Sequence, residues 1–134
     1  MPELGRRMYA QNIVLRGCLD ESEWLSFLSA CAEAMNMSAA GIPGVWRYPV
    51  DGKGGTGVTI VQPITESFLV VDTWPDHDGA YMHVASCKRF SIEDIAETIL
   101  KFGLAMDFAG RIDTLHLDPL AVHRRFNDYV EQEP

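Results

Sequence analysis

Two stretches of the chain carry apolar residues at the spacing of a helix that buries one face. Asp20 and Glu23 have the spacing of an N-terminal capping box. The apolar positions that follow lie three or four residues apart: Trp24, Leu28, Cys31 and Met35. Ser91 and Asp94 repeat the capping spacing ahead of a second stripe, formed by Ile92, Ile95, Ala96, Ile99 and Phe102. The pattern therefore predicts two helices, the second of which ends at Gly103.

Short runs of β-branched and aromatic residues around these helices predict strands. The runs cover residues 9–15, 45–48, 58–61, 68–73, 80–86 and 112–117. A loop over 36–44, a glycine-rich turn over 51–57 and a charged tail from 118 separate or follow them. The order of elements predicts an α+β fold, a two-layer sandwich with a mainly antiparallel sheet and helices on one face. The length suits a single domain over 1–134.

Composition narrows the class of protein. Hydrophobic residues make up 47% of the chain and charged residues 22%, as in soluble globular proteins. The net charge of −8 argues against nucleic-acid binding and against docking on anionic membranes, and it suits a small cationic ligand. Three cysteines without a CxxC pair, and no apolar leader segment, predict a cytoplasmic protein. His77, Asp78 and His83 lack ligand spacing, so we expect no metal site.

The centre of the chain places a hydroxyl, a carboxylate and a thiol around two predicted strands. Ser67 stands where a strand begins, Asp72 lies within it, and Cys87 follows the next strand. Strand alternation puts Ser67 and Leu69 on one face and Asp72 on the other. The residues by themselves are also compatible with an ordinary hairpin in which Cys87 is a buried structural thiol.

The order of these residues resembles the prokaryotic S-adenosylmethionine decarboxylase family. That family has Ser-Glu-Ser-His at its processing site, then His-Thr-Trp-Pro-Glu, then a cysteine after the following strand. The matching letters here are TESF at 65–68, DTWPD at 72–76 and Cys87, with the same spacing. Upstream, GVT at 57–59 stands where the family has Gly-x-Ser or Gly-x-Thr, and LGR at 4–6 is similar to its N-terminal opening.

The resemblance implies a proenzyme that cuts itself between Glu66 and Ser67, giving a β chain of 1–66 and an α chain of 67–134. Ser67 would become a pyruvoyl group, an electron sink that serves the decarboxylation of an amine substrate. By resemblance, Asp72 is the base for cleavage, Thr59 holds the tetrahedral species, and Cys87 returns a proton after CO2 leaves. Asp72 stands where the family has histidine, and a carboxylate serves as a base only where its surroundings suit it.

The resemblance also implies a substrate, a pathway and an assembly. The substrate-binding residues would be Glu66, Phe68, Trp74 and Asp76. Phe68 stands where the family has the histidine that follows the processing serine, and Asp76 stands where it has glutamate. The substrate would be a small amino-acid-derived cation, the pathway polyamine (spermidine) biosynthesis, and the assembly a homodimer with its active sites near the subunit interface. Two alternatives stay open: decarboxylation of another amino acid, such as ornithine or arginine, and an uncleaved, non-catalytic homologue that binds or regulates.

Overall fold

The computed structural model describes residues 6–49, 56–65, 67–74 and 78–117. Two helices, α1 (Glu21–Ala34) and α2 (Ile92–Lys101), accompany six strands. The strands are β1 (Arg6–Arg16), β2 (Gly44–Pro49), β3 (Thr56–Ile64), β4 (Ser67–Trp74), β5 (Gly79–Ser86) and β6 (Ala105–Leu117). They form one sheet in the order β2-β3-β4-β5-β1-β6, and each neighbouring pair is antiparallel. The predicted α+β fold is confirmed.

Both helices begin where the sequence predicts. The Asp20 carboxylate accepts the backbone N–H of Glu23, and the Glu23 side chain accepts the N–H of Asp20, which completes the capping box. A second capping box joins Ser91 and Asp94 at the start of α2. After α2, Gly103 has a φ of +74°, a conformation that glycine adopts without strain.

The predicted turn over 51–57 is wrong at its C-terminal end. Thr56 and Gly57 already belong to β3 and pair with Pro49 and Tyr48 of β2, while 51–55 lie outside the described residues. Glycine weakens a strand in isolation, but it is favoured where another group approaches the backbone closely. The last strand is also longer than predicted, because β6 begins at Ala105 to follow β1. The predicted charged tail from 118 lies outside the described residues.

The hydrophobic core lies between the helices and one face of the sheet. Strand residues on this face are almost fully buried, among them Ile13, Leu15, Ile60, Leu69, Val71, Met82 and Val84. They pack with Phe27, Leu28, Cys31, Ile95 and Ile99 of the helices. The predicted apolar stripe of α1 is thus confirmed as its buried side.

The opposite face of the sheet, called the open face below, is not covered by any described part of the chain. Its residues are half-buried or exposed: Trp46, Tyr48, Thr59, Val61, Phe68, Val70, Asp72, Tyr81 and His83. Most of these side chains are apolar or aromatic. The open face is therefore more apolar than an ordinary protein surface.

Phe27 joins the two helices, and its removal should destabilise the fold. Its ring is fully buried and meets the rings of Trp24 and Phe102 edge to face, at centroid distances of 5.7 Å and 5.4 Å. We expect Phe27→Ala to lower the free energy of unfolding by about 3–5 kcal/mol, because it leaves a cavity. Urea denaturation followed by circular dichroism measures the change. Ser26→Ala, at an exposed position of the same helix, should change it by less than about 0.5 kcal/mol; similar losses in both variants would contradict this role for Phe27.

Candidate functional site

Ser67 and Cys87 lie together at one end of the sheet. Ser67 is the first residue of β4 and pairs with Ile64 of β3 and with Ser86 of β5. Its half-buried side chain shares the helix-facing side with Leu69. Cys87 directly follows Ser86, so it is one residue beyond the strand partner of Ser67. Cys87 is exposed, and the alternative in which it is a buried structural thiol is wrong.

The exposure of Cys87 separates it from Cys31 chemically. Cys31 is fully buried in the core, and burial raises the pKa of its thiol to about 12. A thiol in that environment neither gives nor takes protons at neutral pH. Among the cysteines, Cys87 combines access to solvent with a position beside Ser67.

Hydrogen bonds hold the chain around this end of the sheet. The N–H of Lys88 donates to Oγ of the buried Ser86 at 2.9 Å, and Nζ of Lys88 donates to the carbonyl oxygen of Asn36 at 2.8 Å. The N–H of Thr65 donates to the carbonyl oxygen of Ser38 at 3.0 Å. The loop after α1 is thereby fixed against the segments that precede Ser67 and follow Ser86.

Thr59 and Asp72 form a second pair on the open face. They lie directly opposite each other in the register of β3 and β4. The hydroxyl of Thr59 donates to Oδ1 of Asp72 at 2.9 Å. Two of the four residues that the resemblance makes catalytic are therefore in direct contact.

Tyr48 also contacts Thr59 and Asp72, although no sequence motif contains it. Its hydroxyl donates to Oδ1 of Asp72 at 2.5 Å and lies 3.3 Å from Oγ1 of Thr59. The hydrogen bond to Asp72 is the main reason that the pKa of Tyr48 is raised above its usual value, with the Thr59 contact acting in the opposite direction. Tyr48 is protonated at neutral pH, as tyrosine normally is, and acts as the donor in this hydrogen bond. We call Tyr48, Thr59 and Asp72 the hydroxyl–carboxylate cluster.

Gly57 makes room for Tyr48. The tyrosine ring lies against the backbone of Gly57, its partner in the β2–β3 register, and a Cβ atom at Gly57 would overlap Cε2 of the ring. The strand that carries Tyr48 is anchored to a helix. The guanidinium of Arg47, the preceding residue of β2, donates two hydrogen bonds to the carboxylate of Glu21 at the start of α1. In return, the Arg47 hydrogen bonds lower the pKa of Glu21.

Ser67 and the hydroxyl–carboxylate cluster do not meet within one chain. Asp72 is five positions along the extended strand from Ser67, a distance of roughly 17 Å. The two side chains are on opposite faces of the sheet. Direct proton transfer requires heavy atoms about 3 Å apart. Within a single copy, Asp72 cannot act on Ser67.

Two of the four predicted substrate-binding residues, Phe68 and Trp74, are among the described residues. Phe68 is next to Ser67 and 40% exposed on the open face. The backbone of Trp74 pairs with Gly79 at the other end of β4, six positions along the strand from Phe68. Glu66 and Asp76 lie outside the described residues. Nowhere in 6–49, 56–65, 67–74 and 78–117 do three His, Cys, Asp or Glu side chains converge as metal ligands would.

The pyruvoyl group that the fold family implies would be made from Ser67 itself. A group of this kind needs a hydroxyl residue at a scissile bond and a proton donor within reach. Ser67 begins β4 directly after residue 66, and the exposed Cys87 lies beside its strand partner. The two residue types that such a group requires are thus present at neighbouring backbone positions.

A cleft of about 240 Å³ lies elsewhere, at the start of α1. Its walls come from the segment that joins β1 to α1, from the buried Trp24, and from the ends of β3, β4 and β5. It contains neither Ser67 nor Cys87 nor any member of the hydroxyl–carboxylate cluster. The cleft is therefore distinct from the candidate site.

Comparisons with known proteins place the chain in a family. No curated protein matches the sequence. Among the described residues, no helix is both long and apolar enough to cross a membrane. One similar solved structure is the adenosylmethionine decarboxylase from Aquifex aeolicus VF5, which is 13% identical in sequence. The match has a TM-score of 0.49 and covers 84% of this chain and 91% of that chain. A likeness this distant carries no argument about the site. The family model for S-adenosylmethionine decarboxylase matches residues 15–105, more than half of the sequence. The chain belongs to the S-adenosylmethionine decarboxylase family.

Proposed function

We propose that this protein is a self-cleaving, pyruvoyl-dependent decarboxylase that is cut between Glu66 and Ser67. The observation that carries the proposal is the backbone position of the exposed Cys87, one residue beyond Ser86, the β5 partner of Ser67 at the first position of β4. A hydroxyl at a scissile bond and a thiol beside it are the two groups that the chemistry needs.

The cleavage begins with attack of Ser67 Oγ on the carbonyl carbon of Glu66. The C–N bond breaks, the amine of Ser67 is freed, and an ester joins the two residues. Loss of the Cα proton of Ser67 then expels the Glu66 carboxylate and leaves a dehydroalanine, which water converts to the pyruvoyl group with release of ammonia. The pyruvoyl group supplies an electron sink for the loss of CO2. Cys87 then delivers a proton to the carbon that carried the carboxylate.

Two copies of the chain complete each site. The hydroxyl–carboxylate cluster lies on the open face and cannot reach Ser67 of its own chain, so its Asp72 acts on Ser67 of a second copy. Because the side chain of Ser67 is on the helix-facing side, the second copy must reach it at the end of the sheet where β4 begins, and not across the open face. In a two-fold dimer each copy gives Ser67 and Cys87 to one site and Thr59 and Asp72 to the other.

The substrate is a small amino-acid-derived cation. A net charge of −8 gives the protein a field that attracts cations, and membership of the family supports S-adenosylmethionine and a role in polyamine biosynthesis in the cytoplasm. Release of CO2 from S-adenosylmethionine, compared with ornithine and arginine, distinguishes this substrate from the other amino acids.

Ser67→Ala should abolish cleavage and leave the fold intact. We expect the intact mass of the purified wild-type protein, measured under denaturing conditions, to show two fragments, with a ketone at the N-terminus of the C-terminal fragment. Ser67→Ala should give one uncut chain, because it lacks the nucleophile. Ser29→Ala, at an exposed position in α1, should be cut like the wild type. An uncut wild-type chain would favour a non-catalytic binding homologue, and a split Ser67→Ala chain would exclude the proposed chemistry.

Cys87→Ala should leave cleavage intact and impair turnover. Cleavage does not need the thiol, whereas protonation after CO2 loss does, so we expect kcat to fall by about 100-fold or more. CO2 release under saturating substrate measures this effect. Cys18→Ala removes another exposed thiol, located between β1 and α1, and should keep full activity. Normal turnover by Cys87→Ala would show that Cys87 has no catalytic role.

Co-expression of two inactive variants tests whether each site is shared. Neither Ser67→Ala nor Asp72→Asn alone should be cut. In a mixed dimer, the Asp72 of the Ser67→Ala chain can act on the Ser67 of the Asp72→Asn chain. We therefore expect fragments from the Asp72→Asn chain only when both are co-expressed, as shown by distinct affinity tags and intact mass. Absence of fragments in a verified mixed dimer, from a wild type that does cleave, would refute the shared site.

A further inference from the structure

We propose that Tyr48 is a positioning residue that orients the Asp72 carboxylate for its action as a base. The inference rests on the proposed function and adds to it a residue that neither the resemblance nor the motif contains. Tyr48 donates to Oδ1 of Asp72 at 2.5 Å, the shortest of the hydrogen bonds within the hydroxyl–carboxylate cluster.

A carboxylate needs such support because its terminal torsion is loosely defined. Rotation about the Cβ–Cγ bond of an aspartate is broad, so the direction of its oxygens is set by whatever they bind. Here two donors from two different strands, Tyr48 on β2 and Thr59 on β3, meet on the same oxygen of a residue in β4. Two fixed donors on Oδ1 determine the plane of the carboxylate and hence the direction of Oδ2.

The surroundings of Tyr48 hold the ring in place for this task. Gly57 leaves space beneath it, and the Arg47–Glu21 pair ties β2 to the first turn of α1. Tyr48 and Arg47 are consecutive, so they extend to opposite faces of the sheet. One residue therefore anchors the strand to the helix while the next donates to Asp72.

The ionisation of Tyr48 agrees with this role. Its pKa is raised chiefly by the hydrogen bond to Asp72, with further contributions from partial burial and from the negative charge of Asp72. The direction of the shift agrees with the geometry, in which the phenol donates to a carboxylate. A tyrosine that merely lined a surface would have no such dependence on Asp72.

The kinetic test is Tyr48→Phe, which keeps the ring and removes the hydroxyl. With freshly translated chain and the appearance of fragments followed by intact mass, we expect cleavage to slow by about tenfold or more, the effect of losing one hydrogen bond to a charged group. Thr73→Val is the matched control, because Thr73 follows Asp72 but its hydroxyl contacts the backbone of Val58 instead. It should cleave at the wild-type rate. Equal rates for Tyr48→Phe and the wild type would overturn the inference while the proposed function stood.

A titration in the uncut Ser67→Ala chain gives a readout that does not depend on cleavage. The absorbance of tyrosinate, taken as the difference from a chain that also carries Tyr48→Phe, follows Tyr48 alone. Adding Asp72→Asn removes the acceptor charge, so Tyr48 should ionise at a lower pH. An unchanged midpoint would overturn the inference. If the wild type stays uncut, the proposed function fails, and a shifted midpoint then identifies a structural contact and not a positioning residue.

Discussion

The pairing of β3 with β4 in a single register is the constraint on which both the core and the candidate site depend. It puts Ile60 opposite Val71 on the helix-facing side and Thr59 opposite Asp72 on the open face. Because side chains alternate along a strand, a slip of one residue would exchange the two faces. It would place a carboxylate in the core and remove its hydroxyl donor. The same apolar residues that stabilise the fold thus keep Asp72 among its partners.

That register also keeps the proposed catalytic residues apart. Ser67 and Asp72 belong to the same strand, and an extended backbone holds them apart whatever their rotamers. A strand can bring residues together only across the ladder, as with Thr59 and Asp72 or with Ser67 and the segment at Cys87. The proposed chemistry, which needs all four residues, therefore needs a second copy of the chain.

Local patterns were sufficient for much of the fold. The capping boxes at Asp20 and Ser91 and the apolar stripes of both helices depend on residues a few positions apart, and the sequence predicts them correctly. The alternation that separates Ser67 from Asp72 is local too. Tyr48 could not be identified in this way, since its role depends on the β2–β3 register and on the absence of a side chain at Gly57. The same glycine, interpreted as part of a turn, made the predicted start of β3 two residues late.

The strand order has a consequence for what cleavage after residue 66 would do to the molecule. The N-terminal product would hold β1, β2 and β3, and the C-terminal product β4, β5 and β6. In the sheet, β1 lies between β5 and β6, and β4 lies between β3 and β5, so the two products are interleaved. They would stay together as one particle, and only denaturation would reveal that the backbone is broken. Once separated, they could rebuild the sheet only by a bimolecular reaction, so a cut made after folding would keep the two products assembled.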